Sequence, residues 1–105
     1  MDSREQEKYL AEIVQLTEAM LDDAVRDDWD AVTTKQLQRD DSIKIFFQRP
    51  LTLDVEIVAA RIRAVLAMDE QILSLGRQYQ QGLRREQQTF SRGRNAIKAY
   101  AEIKP

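Results

Sequence analysis

The stretch LDVEIVAARIRAVLAMDEQILSLGRQYQQGLRREQQTF, residues 53–90, decides the fold. It contains no proline and is rich in residues that favour helix, so it predicts one long α-helix over residues 53–91. At 1.5 Å of rise per residue such a helix would be about 57 Å long. Apolar residues recur along it at steps of three and four, which is typical of a helix that packs on others. This seam consists of Val55, Val58, Ile62, Val65, Asp69, Ile72, Gly76, Tyr79, Leu83, Glu86 and Phe90.

Two shorter helices are predicted before it. The first covers residues 3–27, with Ser3 as the N-cap and an apolar stripe that runs from Leu10 to Ala24. The second covers residues 29–48 and follows Asp28, a good N-cap. Pro50 then ends the helical pattern, and Thr52 can cap the third helix.

These elements predict an all-α fold, an antiparallel three-helix bundle in a single domain of residues 1–105. Gly93 permits a bend or break, so residues 92–103 are expected to form a short helical tail after the long helix. Beside the seam, apolar side chains widen the stripe on the third helix. Two shorter partner helices cannot cover all of it, so part of this surface is expected to contact a partner or to drive a homodimer.

The composition excludes several classes of active site. The chain has no cysteine and no histidine, which removes the usual ligands of zinc, iron–sulfur and haem centres and the residues of Cys–His and Ser–His–Asp catalysis. Adjacent carboxylates such as Asp22 and Asp23 fall at predicted helix ends, where capping and solvation explain them. Asp69 differs because it lies on the apolar seam, where a polar contact with an arginine or glutamine would set the helix register. We expect neither an enzyme nor a bound cofactor.

The charge distribution bears on whether the chain could bind nucleic acid or a regulator. The net charge is −2, and the second half of the chain is the more basic one. A basic pole could bind nucleic acid or a regulator as an adaptor, but the acidic balance of the whole chain favours a solvated helix end. No stretch reaches the length of a membrane span, and the N-terminal residues MDSREQEKYL lack the apolar run of a signal peptide. We therefore expect a cytoplasmic protein without direct contacts to nucleic acid and without membrane insertion.

Two short motifs resemble a known family. MLDDAVRDDWDAV, residues 20–32, is similar to the helix–turn–helix stretch of the flagellar export chaperone FliT family, in which a leucine-rich first helix ends in a polar turn followed by Trp-Asp. MDEQIL, residues 68–73, resembles a stretch of that family's long third helix. Order and spacing agree from about Leu10 to Arg85.

The resemblance implies a cytosolic chaperone of flagellar type III export. Such a chaperone holds the C-terminal helical segment of the filament-cap protein FliD, prevents its premature assembly and delivers it to the export ATPase complex. In enterobacterial relatives it also binds the regulator FlhDC and represses flagellar genes. Cargo contacts in that family come from the second and third helices, and a C-terminal helix can cover the binding surface. On this chain the cover would be residues 91–103, and the candidate contacts are Ile45, Phe46, Leu66, Leu73, Tyr79 and Leu83.

One alternative to a cargo chaperone stays open at this point. The long helix could mediate self-association, and the chain would then be a helical interaction or adaptor protein without an export cargo. The two hypotheses predict different oligomeric states, and only the chaperone hypothesis requires an apolar groove that is open to cargo.

Overall fold

A computed structural model of the chain contains three α-helices and no strand among residues 2–103, the part that the structure describes; side chains are described for residues 2–83. Helix α1 spans Ser3–Val25, α2 spans Trp29–Phe47 and α3 spans Val55–Ile103. The predicted all-α fold with a long third helix is therefore confirmed. Over the described residues, no helix has an apolar stretch long enough to cross a lipid bilayer.

The two ends of α1 differ from the sequence prediction. Asp2, not Ser3, is the N-cap, because its carboxylate accepts a hydrogen bond of 2.8 Å from the Glu5 backbone N–H. The helix ends at Val25, two residues earlier than expected. Asp27 adopts a left-handed backbone conformation with φ of 59°, and the backbone N–H of Asp28 donates to the Asp23 carbonyl at 2.9 Å. This closing turn satisfies the last carbonyls and stops the helix.

Helix α2 begins as predicted and ends one residue early. The Asp28 carboxylate accepts a 3.2 Å hydrogen bond from the Ala31 backbone N–H, which confirms Asp28 as the N-cap. The helix ends at Phe47 rather than at residue 48, and Gln48 is its C-cap. The α1–α2 connection is therefore only residues 26–28, so the two helices must pack closely.

The bounds of helix α3 differ from the prediction at both ends. It starts at Val55, where the Asp54 carboxylate accepts from the Glu56 backbone N–H at 2.9 Å, so Asp54 rather than Thr52 caps the start. It continues to Ile103 as one helix, and the separate tail expected for residues 92–103 does not form. One glycine in a helix interior costs only about 1 kcal/mol, and the alanines, arginines and lysine near Gly93 favour helix. Side chains of the expected cover, residues 91–103, lie outside those described.

Buried side chains from all three helices pack together in two clusters. The first joins Leu10 and Ile13 of α1 with Phe46 of α2 and with Val58 and Val65 of α3. The second cluster contains Met20 and Ala24 of α1, Val32 of α2 and Ile72 of α3. The core thus uses the predicted stripe of α1 and the inner part of the predicted seam of α3.

The chain divides into two compact units, Met1–Leu75 and Gly76–Pro105. The first unit contains α1, α2, the beginning of α3 and both buried clusters. The second unit, where the structure describes it, is α3 from Gly76 onward. A single domain over residues 1–105 stays a prediction.

A buried glutamine attaches the α2–α3 connection to α1. Gln6 is fully buried and donates from Nε2 to the Pro50 carbonyl at 2.8 Å. Its Oε1 accepts from the backbone N–H and the hydroxyl of Thr52, at 2.8 and 3.0 Å. Ser3 donates its hydroxyl to the Thr52 hydroxyl oxygen at 2.8 Å. The side chain predicted to cap α3 is therefore used to hold the connection in place.

A buried carboxylate ties α1 to α2 near their connecting turn. Asp23 is buried and forms ion pairs with Lys35 of α2 and, at 2.9 Å, with Arg26. The hydrogen bond from the Lys35 ammonium is the main reason why the pKa of Asp23 lies below its ordinary value; burial acts in the opposite direction, and Arg26 lowers the pKa further. The sequence had suggested only capping or solvation for this residue.

We expect the Asp23 pairs to make stability dependent on acid. Because the folded pKa is depressed, the stabilisation is complete above the unfolded pKa of about 3.9 and is lost as pH falls through the lower, folded value. Urea unfolding of wild type and Asp23→Asn should therefore show wild type as the more stable near neutral pH and a difference that shrinks below about pH 4. Asp22→Asn, a change to an exposed neighbour, should follow the wild-type pH profile. A stability difference between wild type and Asp23→Asn that stays constant from neutral to acid pH would contradict this assignment.

Candidate partner-binding groove

A long apolar groove lies between α2 and the part of α3 in the first unit. Its main cavity has a volume of about 180 Å³. Ile43 and Phe47 of α2 form one side, and Ile62 and Leu66 of α3 form the other. The floor consists of core residues that also pack elsewhere: Leu10, Ile13, Phe46 and Val65. We call this surface, with the neighbouring cavity described next, the α2–α3 groove.

A second cavity of about 160 Å³ continues the groove along both helices. It is lined by Gln36 on α2 and Leu73 on α3, above the core residues Met20, Val32 and Ile72. Arg39 and Asp69 line both cavities. These two residues therefore mark the middle of the groove, with one apolar cavity on each side.

Arg39 and Asp69 form an ion pair across the groove. Nη1 of Arg39 donates to Oδ1 of Asp69 at 2.6 Å and also to the Thr17 hydroxyl oxygen at 3.2 Å. The Thr17 hydroxyl in turn donates to the Ile13 carbonyl at 2.8 Å. The arginine side chain is 10% exposed and the aspartate side chain 29% exposed. The predicted polar contact of Asp69 with an arginine or glutamine is thus confirmed, with Arg39 as the partner.

Two adjacent phenylalanines at the end of α2 have opposite roles. Their rings meet edge to face with centroids 4.9 Å apart. Phe46 is fully buried in the core, whereas Phe47 is 55% exposed beside the main cavity. Phe46, predicted as a partner contact, belongs to the floor of the main cavity and is not exposed on its wall. Phe47 is the surface aromatic of the pair, and helix geometry, which separates adjacent side chains by about 100°, required that only one of them face inward.

The predicted contacts on α3 within the first unit are exposed. Leu66 is 56% and Leu73 is 59% exposed. Seven residues separate them, so they lie two turns apart on one face of α3, and each lines one of the two cavities. Ile45 of α2 is half-buried and lines neither cavity. The structure therefore brings Leu66 and Leu73 together in one groove and leaves Ile45 outside it.

The other two predicted contacts belong to the second unit. Tyr79 and Leu83 are 37% and 40% exposed, and they lie one turn apart on α3. They present an apolar strip of their own within that unit.

The comparison with known protein families decides the assignment. A family model described as Flagellar protein FliT matches residues 7–102, which is nearly the whole chain. The chain belongs to the FliT family. The comparisons with curated proteins and with solved structures returned no match.

Family membership gives this chain a coarse function. FliT-family proteins are chaperone-type proteins of flagellum biogenesis with a role related to export, and they bind flagellar export partners. A groove that exposes apolar side chains on a helical scaffold is the kind of site that a chaperone needs. The resemblance expected from residues 20–32 and 68–73 is confirmed.

The lining of the groove in this FliT-family chain determines what it can bind. Among the side chains that the structure describes, no group of three or more carboxylates is arranged to hold a metal ion. The groove walls are mostly aliphatic and aromatic, and its ionised groups are already paired. The chemistry that it supports is the burial of another apolar surface.

Sequence reasoning missed other exposed apolar residues of the FliT-family fold. Leu37 of α2 is 64% exposed and Val25 of α1 is 66% exposed. Leu37 lies about 160° from the buried Arg39 around α2 and lines neither cavity of the groove. Val25 borders a shallow third cavity together with Leu21 and Leu75. Single exposed apolar residues are common on folded proteins, and the groove stands out because its apolar residues are contiguous.

Proposed function

We propose that this protein is a cytoplasmic, non-enzymatic chaperone of flagellar type III export that binds the C-terminal helical segment of the filament-cap protein FliD. Binding would keep FliD from assembling prematurely and allow its transfer to the export ATPase complex. The observation that supports this function is the α2–α3 groove, in which Leu66 and Leu73 are more than half exposed beside two apolar cavities.

The groove suits a helix as its ligand. An amphipathic helix presents apolar side chains at spacings of three, four and seven residues, and these match a groove walled by two helices. Burial of about 600 Å² of apolar surface would correspond to some 15 kcal/mol before the costs of ordering and association, which consume most of it. Micromolar or tighter binding is then possible without any charged anchor.

We also propose that the first unit is an antiparallel three-helix bundle. The pairing within the core supports this topology. The N-terminal part of α1 packs with the end of α2 and the start of α3. The C-terminal part of α1 packs with the start of α2 and a later part of α3. This pairing is the one expected when consecutive helices run in opposite directions.

The proposed contact residues are those that line the groove, together with the strip on the second unit. Leu66, Leu73 and Phe47 would make the first set of contacts. Tyr79 and Leu83 of the second unit, and Ile45 of α2, stay predicted contacts. A homodimer, and contacts with the export ATPase complex or with FlhDC, stay predictions.

Binding to the C-terminal segment of FliD from the same organism tests the proposal. Leu66→Asp and Leu73→Asp should each weaken binding by about thirtyfold or more, because a charge would have to be desolvated against an apolar ligand surface. Isothermal titration calorimetry with the purified chain measures the loss. Leu37→Asp is the matched control, since Leu37 is equally exposed on the outer face of α2, and its affinity should stay within about twofold of wild type. Binding that survives both groove substitutions would refute the site.

The alternative of a self-associating adaptor would use the long helix α3, on which Val55 and Ile57 are also exposed apolar residues. Sedimentation analysis of the pure protein distinguishes the two functions. A tight dimer that does not bind the FliD segment would favour self-association. Binding of one FliD segment per chain, with an affinity that falls when Leu66 is replaced, would favour the chaperone function.

A further inference from the structure

A polar layer separates the two buried clusters of the first unit. Thr17 of α1 and Arg39 of α2 are buried, and each lies seven residues from a member of either cluster. Asp69 of α3 completes the layer through its ion pair with Arg39. One residue of each helix thus replaces an apolar side chain at this level of the core. Because Arg39 and Asp69 line both cavities, the layer is also the middle of the groove floor.

The layer has hydrogen-bonding groups that the chain itself does not use. Nη1 of Arg39 donates to Asp69 and to Thr17, whereas Nε and Nη2 donate to no atom of the described residues. Nε is enclosed by the protein, so Nη2 is the donor that a ligand can reach. Asp69 accepts from Arg39 through Oδ1, and its Oδ2 has no hydrogen-bond partner in the described part of the chain. The ion pair therefore offers a ligand one donor, Nη2, and one acceptor, Oδ2.

The charges at this level of the groove balance. Arg39 and Asp69 are the ionised side chains among the residues that line the two cavities, and Gln36, also in the lining, is neutral. Within the first unit, four exposed charged residues lie three or four positions from a side chain of the groove walls, two of each sign, and none lines either cavity: Asp40, Lys44, Arg63 and Glu70. A charged ligand side chain would thus lose water without meeting a net opposite charge.

An uninterrupted apolar ligand would also be disfavoured in the middle of the groove. It would remove Nη2 of Arg39 and Oδ2 of Asp69 from water without offering either a partner, and such unsatisfied groups are costly. A site with fixed polar groups discriminates strongly against ligands that cannot bond to them. A primary amide is neutral and meets both needs, since its carbonyl oxygen accepts and its nitrogen donates. Glutamine has the longer of the two amide side chains and suits a floor in which Arg39 is nine-tenths buried.

We propose that the α2–α3 groove selects an amphipathic helix that carries a glutamine between two apolar residues seven positions apart. The spacing follows from Leu66 and Leu73, which lie seven residues, or about 10.5 Å, apart on α3 and line one cavity each. The two apolar side chains enter the cavities of about 180 and 160 Å³. The amide between them accepts from Nη2 of Arg39 and donates to Oδ2 of Asp69. This inference rests on the proposed function and specifies the chemistry of the segment that is bound.

Four synthetic helical peptides test this selectivity on the full-length chain. They share two leucines seven positions apart and differ at one position between them, which is Gln, Leu, Glu or Lys. The position is three residues after the first leucine in one series and four in a second, to allow for either direction of the bound helix. In one series, fluorescence anisotropy should show the Gln peptide binding about fivefold more tightly than the Leu peptide and more tightly than both charged peptides. The ratio between the two neutral peptides should not change as NaCl is raised.

Three results would overturn the proposal: a Gln preference over Leu of less than about threefold in both series, tighter binding of the Glu or Lys peptide, or no binding of the Gln peptide at about 1 mM. If the FliD segment binds in a way that depends on Leu66 while the peptides show no preference for Gln, the chaperone function stands and this inference fails.

A double substitution assigns the preference to the ion pair. Arg39→Met with Asp69→Leu removes both partners together, which proteins commonly tolerate, and the Thr17 hydroxyl keeps its bond to the Ile13 carbonyl. The Leu peptide should then bind at least as tightly as the Gln peptide. Arg63→Met with Glu70→Leu is the matched control, because it removes one charge of each sign from exposed positions outside both cavities, and the Gln preference should persist. A Gln preference that survives loss of the ion pair would overturn its role, and the wild-type series does not depend on how stable the variant is.

Discussion

Replacement of Phe46 by alanine should destabilise the protein by about 3–5 kcal/mol, the range typical of a fully buried aromatic side chain. Phe46 is completely buried where all three helices of the first unit meet, and it packs with Leu10, Ile13, Val58 and Val65. Its loss would leave a cavity that rigid helices fill only in part. A domain of this size has only about 5–15 kcal/mol of stability in total. Urea unfolding followed by far-ultraviolet circular dichroism should show a large shift of the midpoint.

Phe47→Ala is the matched control because it removes the same group from the adjacent position. Phe47 is 55% exposed, so its loss should cost at most about 1.5 kcal/mol, mainly the edge-to-face contact with Phe46. It should instead weaken binding of the FliD segment, since Phe47 forms part of the groove wall. Equal losses of stability in the two variants would contradict the placement of these rings.

Replacement of Gln6 by alanine is the second large effect that we expect, about 2–4 kcal/mol of lost stability. The side chain makes three hydrogen bonds of 2.8–3.0 Å to the α2–α3 connection, at Pro50 and Thr52. Alanine would remove these hydrogen bonds and leave a cavity where the fully buried Gln6 side chain lay. Each lost hydrogen bond costs about 1 kcal/mol, and the cavity adds to the loss.

Gln38→Ala provides the control for the Gln6 substitution. Gln38 is exposed in the middle of α2, where alanine is as good a helix former, so the change should alter stability by less than about 0.5 kcal/mol. Amide hydrogen exchange gives a second reading. In Gln6→Ala the backbone N–H of Thr52 should exchange much faster than in wild type, whereas amides near Val32 should be affected only through the global loss of stability. Wild-type protection at Thr52 in Gln6→Ala would show that other contacts hold the connection.

The comparison of Phe46 with Phe47 shows where sequence reasoning about the site ends. Both residues continue the helical pattern of α2, and a pattern predicts that one of two adjacent aromatics faces the core without specifying which. The rotation of α2 about its own axis decides this, and that rotation depends on packing against α1 and α3. The same limit applies to Ile45, which is half-buried and lines neither cavity of the groove.

For Asp69, the sequence predicted the kind of contact but not the residue that makes it. A carboxylate between Val65 and Ile72 on an apolar seam must find a polar partner, because an unpaired charge at a packed surface is costly. The candidates were an arginine or a glutamine, and the structure selects Arg39, thirty residues earlier in the chain. The sequence did not predict the buried ion pair of Asp23 with Lys35. A carboxylate near a helix end is usually explained by capping or solvation, so nothing in the pattern indicated burial.

The sequence by itself determined the helical fold, the family and the apolar stripe of residues 53–90. These depend on local properties: side-chain periodicity, capping residues such as Asp28 and the motif of residues 20–32. Only the tertiary structure decided how that stripe is divided. Val58, Val65 and Ile72 are buried in the core, while Leu66 and Leu73 remain exposed in the groove. The physical reason is that burial depends on which surfaces of α1 and α2 reach α3, and periodicity along one helix does not contain that information.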